Sequence, residues 1–186
     1  MDVKVIKEYG YDESALGFSL SYNSDPERAK ELFPRKAFIS LGENKFLESI
    51  YVWIDVTAPR YWWSQADTYR ITTKQSESTM HTILSQQITL DNFESCAYVQ
   101  EDLERVIERI NQIKQDNSIS NMEKRTFIKK ILPESFLQRR IWVMNYKSLQ
   151  NVVNQRYNHP LPEWRLFVEK IREQLEHPEF IFPLDF

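Results

Sequence analysis

The sequence predicts an α+β protein, a single domain over residues 1–186 in which a mixed or antiparallel sheet packs with helices. Three observations carry that expectation. From Ile50 to Val56 apolar and polar residues alternate strictly, the period of a half-buried strand. From Val99 to Ile113 the apolar residues instead recur at helical spacing, with charges between them. The 186 residues, 41% hydrophobic and 13% aromatic, supply one sizeable core and rarely two.

Taken in order, residues 3–6 and 16–22 read as short strands around a glycine-containing turn. Residues 25–33 read as a helix, with Asp25 as its N-cap and Pro26 at its first position. The long strand after Phe46 sets Ile50, Val52, Ile54 and Val56 on one face and Ser49, Tyr51, Trp53 and Asp55 on the other. Pro59 ends it and opens a helix carrying Trp62, Trp63, Ala66 and Tyr69. Residues 98–115 give the clearest helix, and a polar turn leads to another over 122–131 with Phe127, Ile128 and Ile131 on one face, stopped by Pro133. Residues 138–144 read as a strand with Arg139, Ile141 and Val143 on one side. A helix from Asn145 turns Leu149, Val152 and Val153 inward, and a last helix holds Pro162 in its first turn and Trp164, Phe167, Val168, Ile171 and Leu175 in register. No repeat, linker or low-complexity segment interrupts this order.

Composition narrows the function classes. A net charge of −3 carries no electrostatic footprint for nucleic acid, so a small-molecule or protein partner is expected and nucleic acid is not. No apolar run is long enough for a membrane span, and the charged N-terminus lacks a signal-peptide core. The lone Cys96 fits a reducing cytoplasm. Three glycines, none in a phosphate-cradling cluster, exclude a Rossmann or P-loop site. His81, His159 and His177 are scattered without metal-ligand spacing, so no metal site is expected. Cys96 has Glu94 beside it, which opposes a thiolate, and reads as a buried structural cysteine.

Chemistry concentrates in Pro59–His81, where Gln65, Arg70 and the hydroxyls of Thr72, Thr73, Ser76, Ser78 and Thr79 follow tandem aromatics. Hydroxyls, an amide and a guanidinium suit a phosphate or a pyrimidine edge. A solvated hydroxyl-rich loop is the plainer reading. Arg139 on an apolar strand face and Arg156 at the end of an apolar helix either meet an anion or form core carboxylate pairs, with snorkelling open to Arg156. Asn145 reads as a helix N-cap, and Asn151 sits mid-helix where asparagine is a poor former.

Together these residues resemble the flavin-dependent thymidylate synthases. Ala58-Pro59, Gln65, Arg70 and Ser78 follow the family's first block, Arg70 falling on the last arginine of an Arg-His-Arg triplet. Leu132-Pro133, Arg139, Trp142 and Asn145 keep step with a second block, and Asn151 and Arg156 with the helix after it. The match covers about residues 46–81 and 128–175 and looks most like the short, divergent branch carried by bacterial viruses, which would act in the host cytoplasm. The resemblance implies a homotetramer with FAD and dUMP at subunit interfaces, making dTMP with methylenetetrahydrofolate and NADPH and no enzyme nucleophile. It implies that Gln65, Ser78, Arg139 and Arg156 contact the nucleotide, Arg156 as the catalytic residue, and that Arg70, Asn145 and Asn151 meet the flavin.

The chain also departs from the pattern. Thr68 and Tyr69 stand at the first two triplet positions, Gln75-Ser76 at an Asn-Glu pair, Met80-His81 at an Arg-Tyr pair, and Ser49 at a histidine after the retained Glu48. Arg60, Lys74 and Arg140 are the nearby cations that would replace the missing charge. Two alternatives follow: a nucleotide-binding or regulatory protein on the same scaffold, or a methylase or hydroxymethylase of another pyrimidine nucleotide.

Overall fold

The computed structural model describes residues 1–40 and 42–183. It is an α+β chain with four strands in one antiparallel sheet. The strands are β1 (Asp2–Tyr9), β2 (Tyr51–Pro59), β3 (Thr72–Ser76) and β4 (Leu137–Asn145), in spatial order β1-β2-β4-β3. Among the described residues the helices are α1 (Tyr11–Leu20), α2 (Pro26–Lys36), α3 (Arg60–Ala66), α4 (Thr79–Thr82), α5 (Gln100–Gln115), α6 (Asn121–Ile131), α7 (Tyr146–Arg156) and α8 (Pro162–Gln174). The chain forms two compact units.

The larger unit comprises Asp2–Val56, Thr68–Gln75 and the chain from Ile141 onward. Gly10 joins β1 to α1 with φ at +94°, and a side chain there would run into the Ser49 carbonyl, so only glycine fits this turn. Asp25 caps α2 by accepting from the Glu27 N–H at 2.9 Å. Val52, Ile54 and Val56 are fully buried along β2, and Trp142 and Met144 along β4. Leu149, Val152 and Val153 of α7 and Trp164, Phe167 and Ile171 of α8 add to this core. Phe33 stacks on Phe46 with ring centroids 3.8 Å apart, and Phe180 meets both edge-on. The Gln174 amide of α8 accepts from the Val5 N–H and donates to the Val3 carbonyl, both at 3.0 Å.

The smaller unit comprises Met1, Thr57–Asp67 and Ser76–Arg140. Its core is Ile83, Ile88, Phe93, Leu103, Ile110, Ile113, Ile128, Leu132 and Phe136. Ser120 and Glu123 form a capping box that opens α6. An isolated bridge pairs Phe93 with Phe136, their rings edge-on at 5.5 Å. Trp62 and Trp63 of α3 are fully buried.

The structure corrects several expectations. Tyr69 is not carried by the helix after Pro59, for α3 ends at Ala66, and Lys45–Glu48 form a short helical turn, so the strand begins only at Tyr51. Residues 16–22 are not a strand, for α1 runs through Leu20. Its inward residues are Ser14, Ala15 and Ser19, while Leu16 and Leu20 face solvent, so the apolar alternation marked no buried face. Residues 72–76, read as a loop, form the edge strand β3. On β4 the buried side is Trp142 and Met144, which leaves Arg139 exposed rather than on the core face. Of the three α6 residues expected to face inward only Ile128 is buried; Phe127 and Ile131 are exposed, and Lys124 is the other buried residue of the helix. Cys96 is exposed, not buried, because it lies in the turn that precedes α5.

Candidate functional site

In the larger unit, polar residues gather around Tyr69, in the turn between α3 and β3. Arg156, in the last turn of α7, donates from Nε to the Tyr69 hydroxyl at 2.8 Å. Its guanidinium lies 4.7 Å from the centre of the Trp164 ring and 5.6 Å from that of Tyr69, both cation–π distances. The Tyr69 hydroxyl in turn donates to Gln155 Oε1 at 3.1 Å, and Gln155 Nε2 donates to Asn151 Oδ1 at 3.1 Å. Asn151 and Gln155 are one turn apart on α7 and so share a face. The Tyr69 ring is fixed between Trp142 and Trp164, each 6.3 Å away.

The same turn is tied down on its other side. Lys74 sits 5.1 Å over the Trp142 ring and reaches the Tyr69 carbonyl at 3.4 Å, while Thr72 Oγ1 donates to that carbonyl at 3.1 Å. His159 accepts from the Leu161 N–H on Nδ1 at 3.1 Å. Burial, with the Arg156 charge second, holds its imidazole below the ordinary histidine range and so neutral at neutral pH. Asn145 is the N-cap of α7, its side-chain oxygen accepting from the Ser148 N–H at 2.8 Å. That use of the oxygen leaves the amide NH2 to supply donors. Arg70 and Asn151 are exposed.

The smaller unit holds Gln65, Ser78 and Arg139. Gln65 is half-buried on α3, and Ser78 and Arg139 are exposed. The Glu77 N–H donates to the Arg139 carbonyl at 3.0 Å, which fixes Ser78 one residue beyond the pairing. The Ser78 hydroxyl makes no capping bond to the short α4. Beside them Arg140 is largely buried. It donates to both Asp67 oxygens at 3.0 and 3.1 Å, donates twice to Gln138 Oε1, and stacks 4.5 Å over Trp63. Arg60 binds the Leu132 carbonyl at 3.2 Å and Glu134 at 3.1 Å. Arg60 and Arg140, which the sequence offers as replacement cations, are therefore each paired with a carboxylate.

Three clefts, of about 540, 580 and 310 Å³, lie along α1, along α5, and along α5 and α6. None of these three is lined by the seven residues expected to bind ligands. Sequence reading missed Gln155 and the pairing of Tyr69 with Arg156. The four-residue spacing of Asn151 and Gln155 on α7 is the signal that points to the first.

Residues 11–179 match the family described as thymidylate synthase complementing protein. The chain belongs to that family. Two solved structures of the flavin dependent thymidylate synthase ThyX from Helicobacter pylori, both with FAD and dUMP, share the fold of this family member. Each is 18% identical, has a TM-score of 0.79 and covers 98% of both chains. No curated protein matches it in sequence. The resemblance read from Ala58-Pro59 to Arg156 thus holds for family and for fold.

Proposed function

We propose that this family member is a flavin-dependent thymidylate synthase, which methylates dUMP to dTMP with methylenetetrahydrofolate and NADPH. The observation that carries this reading is the extent of the match: it runs through residues 11–179 and takes in all seven residues named for ligand binding. It also crosses both compact units, which supports reading residues 1–186 as one domain. The fold shared with structures holding FAD and dUMP supports the same ligands here.

Gln65, Ser78, Arg139 and Arg156 are assigned to the nucleotide, because a guanidinium meets a phosphate or a uracil carbonyl with paired donors. Arg156 is also the residue assigned to the reacting pyrimidine. The donor set suits FAD: Arg70 offers an exposed guanidinium, and Asn145 and Asn151 offer amides. Bound flavin supplies the hydride chemistry, and these residues hold and orient it. Arg70, Ser78, Arg139 and Asn151 are all exposed in the single chain. In the homotetramer that the family resemblance implies, a neighbouring subunit would complete the site over them.

A second reading, a nucleotide-binding protein without turnover, is favoured by one observation. Arg60 and Arg140 are paired with Glu134 and Asp67, so they do not replace the charge missing at Thr68 and Tyr69. One experiment separates the two. The purified protein is titrated with FAD while its visible spectrum is recorded, then assayed for product from dUMP, dCMP and UMP by mass spectrometry. Flavin binding and dTMP formation support the synthase. Nucleotide binding without product leaves the second reading, a product only from dCMP or UMP points to another pyrimidine methylase, and neither flavin nor nucleotide binding removes all of them.

A further inference from the structure

We propose that Tyr69 is a positioning residue for Arg156, holding its guanidinium in place before the nucleotide arrives. This deepens the assignment of Arg156 to dUMP and rests on it. An arginine at the end of a helix ordinarily samples many rotamers, and freezing them on binding weakens affinity. Here the freezing precedes binding. Trp164 lies under the guanidinium plane, and the Tyr69 hydroxyl accepts from Nε at 2.8 Å.

The choice of Nε matters. Arginine recognises an anion or a carbonyl pair through donors held in one rigid plane, and a partner on Nε fixes the orientation of that plane. The hydroxyl is itself oriented. It donates to Gln155, whose amide donates on to Asn151, so that donors run in one direction from Arg156 through Tyr69 and Gln155 to Asn151. The ring cannot swing away, because Trp142 and Trp164 flank it and Lys74 and Thr72 hold its carbonyl. The departure from the family triplet at Tyr69 thus places a phenol hydroxyl where it grips the nucleotide arginine.

The test is a mutant cycle read by calorimetry with dUMP on the full-length protein. Tyr69→Phe keeps the ring and its packing and removes only the hydroxyl. It is expected to weaken dUMP binding by about 3- to 10-fold, the effect of having to order one arginine side chain at the moment of binding. Arg156→Lys keeps the charge but has no Nε, so Tyr69→Phe added to it should weaken binding no further. Gln155→Met, an exposed change that removes the acceptor of the hydroxyl, should shift affinity in the same direction by a smaller factor and serves if Tyr69→Phe does not fold. Unchanged affinity in Tyr69→Phe, the same loss in the Arg156→Lys background, or unchanged affinity in Gln155→Met where Tyr69→Phe cannot be measured overturns the proposal. If the wild-type protein does not bind dUMP, the assignment of Arg156 to nucleotide fails first and this inference falls with it.

Discussion

Arg140 of β4 places one guanidinium nitrogen within hydrogen-bonding reach of both oxygens of Asp67, while Arg139 beside it stands exposed. Neighbours on a strand point to opposite faces, so Arg140 packs on one side while Arg139, the residue proposed for the nucleotide, lies on the other. Arg140→Met removes a charge-assisted pair and the stacking on Trp63, and should cost roughly 1–3 kcal/mol in urea unfolding. Arg139→Met should shift the unfolding midpoint far less, yet weaken dUMP binding by about tenfold or more. Calorimetry and urea melts on the same two variants check both halves, and a reversed pattern would show the assignment to be wrong.

The Glu8 carboxylate predicts a pH effect on stability. It accepts from the Tyr146 hydroxyl and from the Glu176 N–H. Burial pushes its pKa up from the ordinary 4.5 to about 7, with the Glu176 and Glu179 charges adding to the rise. The folded chain therefore holds a proton that the unfolded chain releases between these values. Stability from this group is full below about 4.5 and is lost as pH rises through about 7. Glu8→Gln should flatten that part of the profile and raise the melting temperature near pH 8. Thermal melts from pH 5 to 8 measure it, and parallel curves for the two proteins would contradict it.

Gly10→Ala should destabilise by about 2 kcal/mol or more. The substitution combines a left-handed backbone with a collision against Ser49. The corresponding change at Gly17, which meets nothing nearby and lies inside α1, should leave stability unchanged or raise it slightly. Denaturation midpoints of the two variants make the comparison.

The thiol of Cys96 is open to solvent, so a thiol reagent should titrate about one group per chain without denaturant. Cys96→Ser should keep full turnover, since the proposed chemistry needs no enzyme nucleophile. Loss of turnover in that variant would return the cysteine to the mechanism.

The sequence announced most of the large elements, because their burial follows a simple period. Leu103, Ile110 and Ile113 on α5 and Val52, Ile54 and Val56 on β2 are buried as their spacing requires. The failures have physical causes. In α1 the buried residues are the small Ser14, Ala15 and Ser19, which leave no hydrophobic stripe to read. On β4 both Ile141-Val143 and Trp142-Met144 are apolar pairs, so periodicity alone does not say which faces the core, and the choice moved Arg139 from inside to outside. The strand β3 is short, polar and mostly exposed. The relay from Arg156 to Asn151 depends on a turn returning Tyr69 to α7, a long-range closure that no local pattern records.

The amide of Gln174 has a consequence for how this chain meets others. An edge strand offers unpaired donors and acceptors on which a second chain can build by templated pairing. At the middle of β1 those groups are already spent, since one side chain occupies the Val5 donor and the Val3 acceptor in the manner of a single strand residue. A stray strand from a neighbouring molecule meets a stoppered edge there, which guards the protein against fibre-like growth.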